Sequence, residues 1–193
     1  MAERRITMVG LHLLWLPILL SAVFVFIVSS VIHMAPLWHK NDYPRMANED
    51  KVRDALRPLN IPPGEYMVPR PANNKELNSP EFTKKIEEGP VFIMSVWPNK
   101  RSSMVNNLVG WFIYLLVIGV FAAYVAGRAL PAGAEYLRVF RFAGTAAFLG
   151  YAGAVWQDKI WYRKPWGTTI IATVDGLIYA LLIAGTFGWL WPQ

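Results

Sequence analysis

The stretch TTIIATVDGLIYALLIAGTFGW, residues 168–189, decides how the rest of the chain is read. It is long enough to cross a bilayer, which takes about 20 apolar residues rising 1.5 Å each. Its one charged residue is Asp175. Every fourth position is small: Thr168, Ala172, Gly176, Ala180, Ala184 and Gly188. On a helix this spacing forms one face, and so nearly bare a face invites another helix to approach closely. A carboxylate in hydrocarbon costs roughly 2.5–3.5 kcal/mol on insertion scales. Asp175 is therefore expected to face protein.

Working back from this stretch, residues 107–126 form a second apolar run with Gly119, Ala123 and Gly127 in a row. A shorter run, 139–156, repeats the device with Ala146, Gly150 and Ala154. Small-residue rows of this kind serve packing, because lipid gives no hydrophobic drive and close contact must replace it. The turn 157–167 carries tryptophans and basic residues suited to the headgroup level, and Trp189 and Trp191 suggest a second aromatic anchor at the far end.

At the other end of the chain, residues 6–34 are apolar for too long to be a signal peptide, whose apolar core has about 7–15 residues. They read as a first transmembrane helix, bent near Pro17. Between the first and second runs the composition changes to mixed charges and many prolines. Asn48 and the residues after it read as a capped helix, 80–88 as another, and 65–68 and 90–97 as short strands. So few elements bury little core, so the region is expected to lean on helices or on a partner.

The predicted fold is an all-α integral membrane protein with four transmembrane helices and a small α+β extramembrane domain between helices one and two. Residues 6–34 are the first span, 35–105 the extramembrane domain and 106–193 a three-helix transmembrane bundle. Four spans place both termini on one side, with Arg4, Arg5, Arg128, Arg138 and Arg141, so the termini are expected in the cytoplasm and the domain outside it. Lys159, Arg163 and Lys164 pull the other way. The overall pattern resembles that of small bacterial inner-membrane proteins, which implies that membrane and no particular activity.

With 54% hydrophobic residues and a mean hydropathy of +0.29, the chain belongs with membrane proteins. It has no cysteine, which excludes disulfides, thiolate zinc sites, iron–sulfur clusters and c-type haem attachment. The net charge of +6 sits mostly beside apolar runs or among acids, which suits the lipid bilayer and not nucleic acid.

Three places invite a functional reading. Asp175 lies about 10 Å inside its helix. The same depth on the second and third helices reaches Tyr114 and Gly150, the neighbour of Tyr151. A polar cluster of Asp175, Tyr114 and Tyr151 is expected, the phenols donating to the carboxylate. Packing is expected through Gly119, Ala123, Ala146, Gly150, Gly176, Ala180, Ala184 and Gly188, with the first helix held more loosely. His12 and His33 stand about 31 Å apart on one helix, too far to hold one haem, so no cofactor and no metal is expected. His39 and Asp42 are spaced for an acid–base pair or part of a metal site, but further ligands are not evident. Nucleophile-elbow, phosphate-loop and zinc-protease motifs are absent, which weighs against an enzyme. The expected function is non-catalytic: an accessory, scaffold or assembly component of a larger membrane complex, bound to other subunits or to its own copies. The alternatives are a transporter or ion-conducting subunit using Asp175, and a membrane enzyme using the His39 and Asp42 region.

Overall fold

The computed structural model describes residues 8–34 and 38–193. The charged start, with Arg4 and Arg5, lies outside the described residues. The described chain divides into two compact units: Arg45–Ser102, and the sequence on either side of it. Three helices are long and apolar enough to cross a membrane: Leu11–Met34, Met104–Ala129 and Trp166–Trp189.

The first of these begins as a 3-10 turn, Leu11–Leu14, and continues as helix α1, Trp15–Met34. Pro17, where the sequence reading placed a bend, sits in the first turn of α1, just after the 3-10 turn, where its missing N–H interrupts the least. Three helices of the inserted unit follow: α2 (Glu49–Leu56), α3 (Asn74–Leu77) and α4 (Pro80–Glu88). The chain then returns through α5 (Met104–Ala129), α6 (Tyr136–Ala152), α7 (Val155–Tyr162) and α8 (Trp166–Trp189). Residues 157–162, expected in a turn, belong to helix α7.

In the apolar unit, α1 and α6 each pack against both α5 and α8, while α5 and α8 barely touch. The first helix, expected to pack loosely for want of a small-residue row, has such a row of its own. Pro17, Ser21, Val25 and Ser29 are buried at every fourth position of α1. Ser21 Oγ donates to the carbonyl of Ile18 and Ser29 Oγ to that of Phe26, at 3.1 and 3.0 Å. With its hydroxyl satisfied on its own helix, a serine packs much as an alanine does. Counting only Gly and Ala hides this row.

The small residues on the other helices do meet neighbours, in partly different pairs. A Cβ added to Gly119 would lie 3.3 Å from Ile18, one on Gly176 would lie 3.2 Å from Ala152 and Tyr151, and one on Gly150 would lie 2.7 Å from Ile118. Ala123, Ala180 and Ala184 are buried, and Gly188 lies against the Tyr136 ring. Ala146 is only half-buried, because the face of α6 turned to the core carries Val139, Ala143, Ala147 and Tyr151. The tightest small-on-small contact between α6 and α8 is at Gly144 and Ala184.

One end of the unit is tied by the chain's own extremities. Val9 N donates to Gly127 O at 3.1 Å, and Gly133 N donates to Pro192 O at 2.8 Å. Gly133 has φ +74°, a conformation that a side chain disfavours, and so allows the turn between α5 and α6. Trp191 is 3% exposed and donates from Nε1 to Pro131 O at 2.9 Å. It therefore acts as a buried tie and not as an interfacial anchor; only Trp189 of that pair is exposed.

The inserted unit forms two strands, β1 (Gly64–Val68) and β2 (Phe92–Val96), paired antiparallel with Tyr66 opposite Met94. Ser79 caps α4, its side chain accepting from Phe82 N. Asn48 precedes α2 with φ 60° and makes no side-chain cap, so it serves there by tolerating a left-handed backbone. Phe82 is the one buried side chain of Arg45–Ser102.

Candidate functional site

Asp175 is buried in α8, as its cost in hydrocarbon requires. Its partners come from the segment beyond α1. Trp38 Nε1 donates to Asp175 Oδ1 at 3.0 Å. His39 Nε2 lies 2.9 Å from Asp175 Oδ2, at an angle that makes no hydrogen bond, and this buried nitrogen has no hydrogen-bond partner. The other side of the same ring is held: His39 Nδ1 is 2.8 Å from Asp42 Oδ2. Asp175 and the His39 and Asp42 pair, which read as separate places in the sequence, thus form one centre.

His33, in the last turn of α1, completes the group. Its ring stacks on that of His39 with centroids 4.3 Å apart and an interplanar angle of 14°. Its Nδ1 is 2.9 Å from Ser29 O. A carbonyl only accepts, so Nδ1 carries the hydrogen, and in the neutral ring the free lone pair is then on Nε2. By the same reasoning His39 Nδ1 carries a hydrogen toward Asp42. One nitrogen from each histidine and one oxygen of Asp175 lie within 4.8 Å of one another.

The tyrosines expected around Asp175 do line the same cavity, of about 380 Å³, which also borders Trp111, Tyr179 and His33. They do not supply its hydrogen bonds. Tyr114 donates its hydroxyl to Gly150 O at 3.0 Å, and the buried Tyr151 and Tyr179 hydroxyls have no partner. Trp38 and His39 occupy the carboxylate in their place. The phenol rings still form a connected wall, Tyr114 to Tyr151 at 5.9 Å and Tyr151 to Tyr179 at 5.4 Å, both edge to face. Trp111 stacks on Tyr114 at 5.5 Å and donates from Nε1 to Ser29 Oγ at 2.9 Å.

Of the residues that sequence reasoning missed, Tyr179 was within reach: it lies four positions after Asp175, one turn along the same face. Trp38 and His33 carried no such signal. In comparisons with known proteins, no family model matches the chain, and no curated protein or solved structure matches it either.

Proposed function

We propose that this chain is a four-span membrane protein that serves as an accessory or assembly component of a larger membrane complex, docking through its inserted unit. The observation that carries this reading is the missing core of Arg45–Ser102, where Phe82 alone is buried. A unit that buries so little apolar surface gains too little to stand by itself. Met67 and Ile93 face each other across the two strands, and both are exposed. Trp97, just beyond β2, is 77% exposed. The unit's charges have both signs and pair along its own helices, as in Arg53 with Asp50 and Lys84 with Glu88. A mixed surface of that kind favours a protein partner over anionic lipid.

The fourth crossing in this reading is α6 continued by α7. α6 has 17 residues, short for a full span, but it packs between α5 and α8 as a complete member of the bundle. The ties from Val9 to Gly127 and from Gly133 to Pro192 hold both extremities of the described chain at one end, as an even number of crossings requires. The arginine distribution favours the cytoplasmic side for that end, and the reading places the protein in a bacterial inner membrane.

A photo-crosslinking residue placed at Ile93 or Trp97 tests the docking in native membranes. A single stoichiometric protein partner is expected at both positions and should disappear with Met67→Asp. Crosslinking to lipid alone would refute it. A second reading, in which the chain itself moves an ion or performs chemistry, has one observation in its favour: Asp175, His39 and Asp42 share one centre.

A further inference from the structure

We propose that His33, His39 and Asp175 form a binding site for a divalent transition metal of the zinc type. The inference is independent of the docking reading above and rests on how each side chain is already committed. His33 commits its Nδ1 to Ser29 O, His39 commits its Nδ1 to Asp42, and Asp175 Oδ1 accepts from Trp38 Nε1. Each ligand thus has one polar atom fixed by a neighbour and one left over: Nε2, Nε2 and Oδ2. Metal-binding histidines are held in this way, the second ring nitrogen donating to a carboxylate or a carbonyl.

The contact between His39 and Asp175 gives an independent reason. His39 Nε2 stands 2.9 Å from a carboxylate oxygen with no hydrogen bond between them. Two electron-rich atoms at that distance repel, and a positive charge relieves the repulsion. A metal ion placed off the line between them and shared with His33 supplies that charge and meets all three groups. Two imidazoles and one carboxylate suit zinc and its neighbours better than calcium or magnesium, which prefer oxygen ligands alone. A tetrahedral shell places ligand atoms roughly 3.3 Å apart, so one nitrogen of each histidine and one Asp175 oxygen, now within 4.8 Å of one another, must draw closer. His33, exposed at the end of α1, has to tilt from its stack on His39 to do so. Three protein ligands leave a fourth position, and His33 and Asp175 both border the aromatic cavity.

The test uses the full chain in detergent, without a histidine tag, stripped with a chelator and titrated with Co²⁺. One cobalt per chain is expected, with the visible absorption of a four-coordinate ion, displaced by Zn²⁺. His33→Ala and Asp175→Asn should abolish that absorption while circular dichroism stays unchanged. Asp42→Asn should weaken binding about 10- to 100-fold, the usual cost of losing a supporting partner. Asp175→Asn keeps an acceptor for Trp38, and if it nevertheless fails to fold, His33→Ala decides alone, since that side chain is exposed at a helix end. Folded wild-type protein that gives no cobalt absorption, or absorption that persists in His33→Ala, overturns the proposal.

Discussion

Gly144→Ala probes the closest approach between α6 and α8. An added Cβ would lie 2.8 Å from Ala184 Cβ, whereas two such carbons rest at about 3.5–4.0 Å. Both atoms are fixed to helical backbone, so no side-chain rotation relieves the clash and the helices must part by roughly 0.7 Å or more. Overpacking of this kind typically costs about 1–3 kcal/mol. At about 2–4 °C of Tm per kcal/mol for a chain of this size, the fall should be roughly 2–12 °C. Gly185→Ala is the control: its nearest atom is Tyr136 Oη at 3.6 Å, an ordinary contact, so it should be neutral or gain up to about 1 kcal/mol from helix propensity. Adding Ala184→Gly to Gly144→Ala removes the methyl that is struck and leaves Ala180 O at 3.8 Å as the nearest atom. The double variant should therefore recover most of the loss, a coupling of about 1–3 kcal/mol. Tm would be read from tryptophan fluorescence in one detergent for all variants. If Gly144→Ala melts with the parent, or the double variant melts no higher than the single, the contact between α6 and α8 is not as described.

Two further outcomes are expected. Trp191→Phe keeps the buried ring but leaves Pro131 O without its donor, which should cost about 1–3 kcal/mol in thermal unfolding, while Trp189→Phe should leave Tm unchanged; equal effects would contradict the buried tie. Because the chain has no native cysteine, single cysteines at Ala72, next to Asn73, and at the exposed Ala132, next to Gly133, can be labelled directly with a membrane-impermeant maleimide. Label should reach position 72 from outside the cytoplasm and position 132 only after lysis, and the reverse pattern would invert the proposed topology.

The inserted unit illustrates what local patterns carry. Ser79 and Pro80 mark the start of α4, and the short apolar runs bounded by Pro and Gly mark the two strands, because capping and turn chemistry act within a few residues. The meagre core was legible too, from element number alone. The row of Gly176, Ala180 and Ala184 was readable from spacing, but its counterpart on α6 was displaced to Val139, Ala143 and Ala147, because a four-residue period names a stripe without saying which stripe faces the core.

The sequence by itself determined that long apolar helices exist, that they can pack closely, and that Asp175 must be sheltered. Transfer cost and helical period are properties of a short segment, and each can be read where it stands. Only the tertiary structure decided what shelters the carboxylate. Trp38 lies 137 positions before Asp175 and His39 beside it, and helical spacing relates neither to α8. Equal-depth reasoning reached the tyrosines on neighbouring helices because it follows the long helices, and it missed Trp38 and His39, which lie outside them. The same limit hid the difference between Trp189 and Trp191, since Trp191 lies past the end of α8 and its indole is received by Pro131, far away in sequence. Which polar group meets which is set by the path of the chain through space, and that path is fixed by packing among α1, α5, α6 and α8 together.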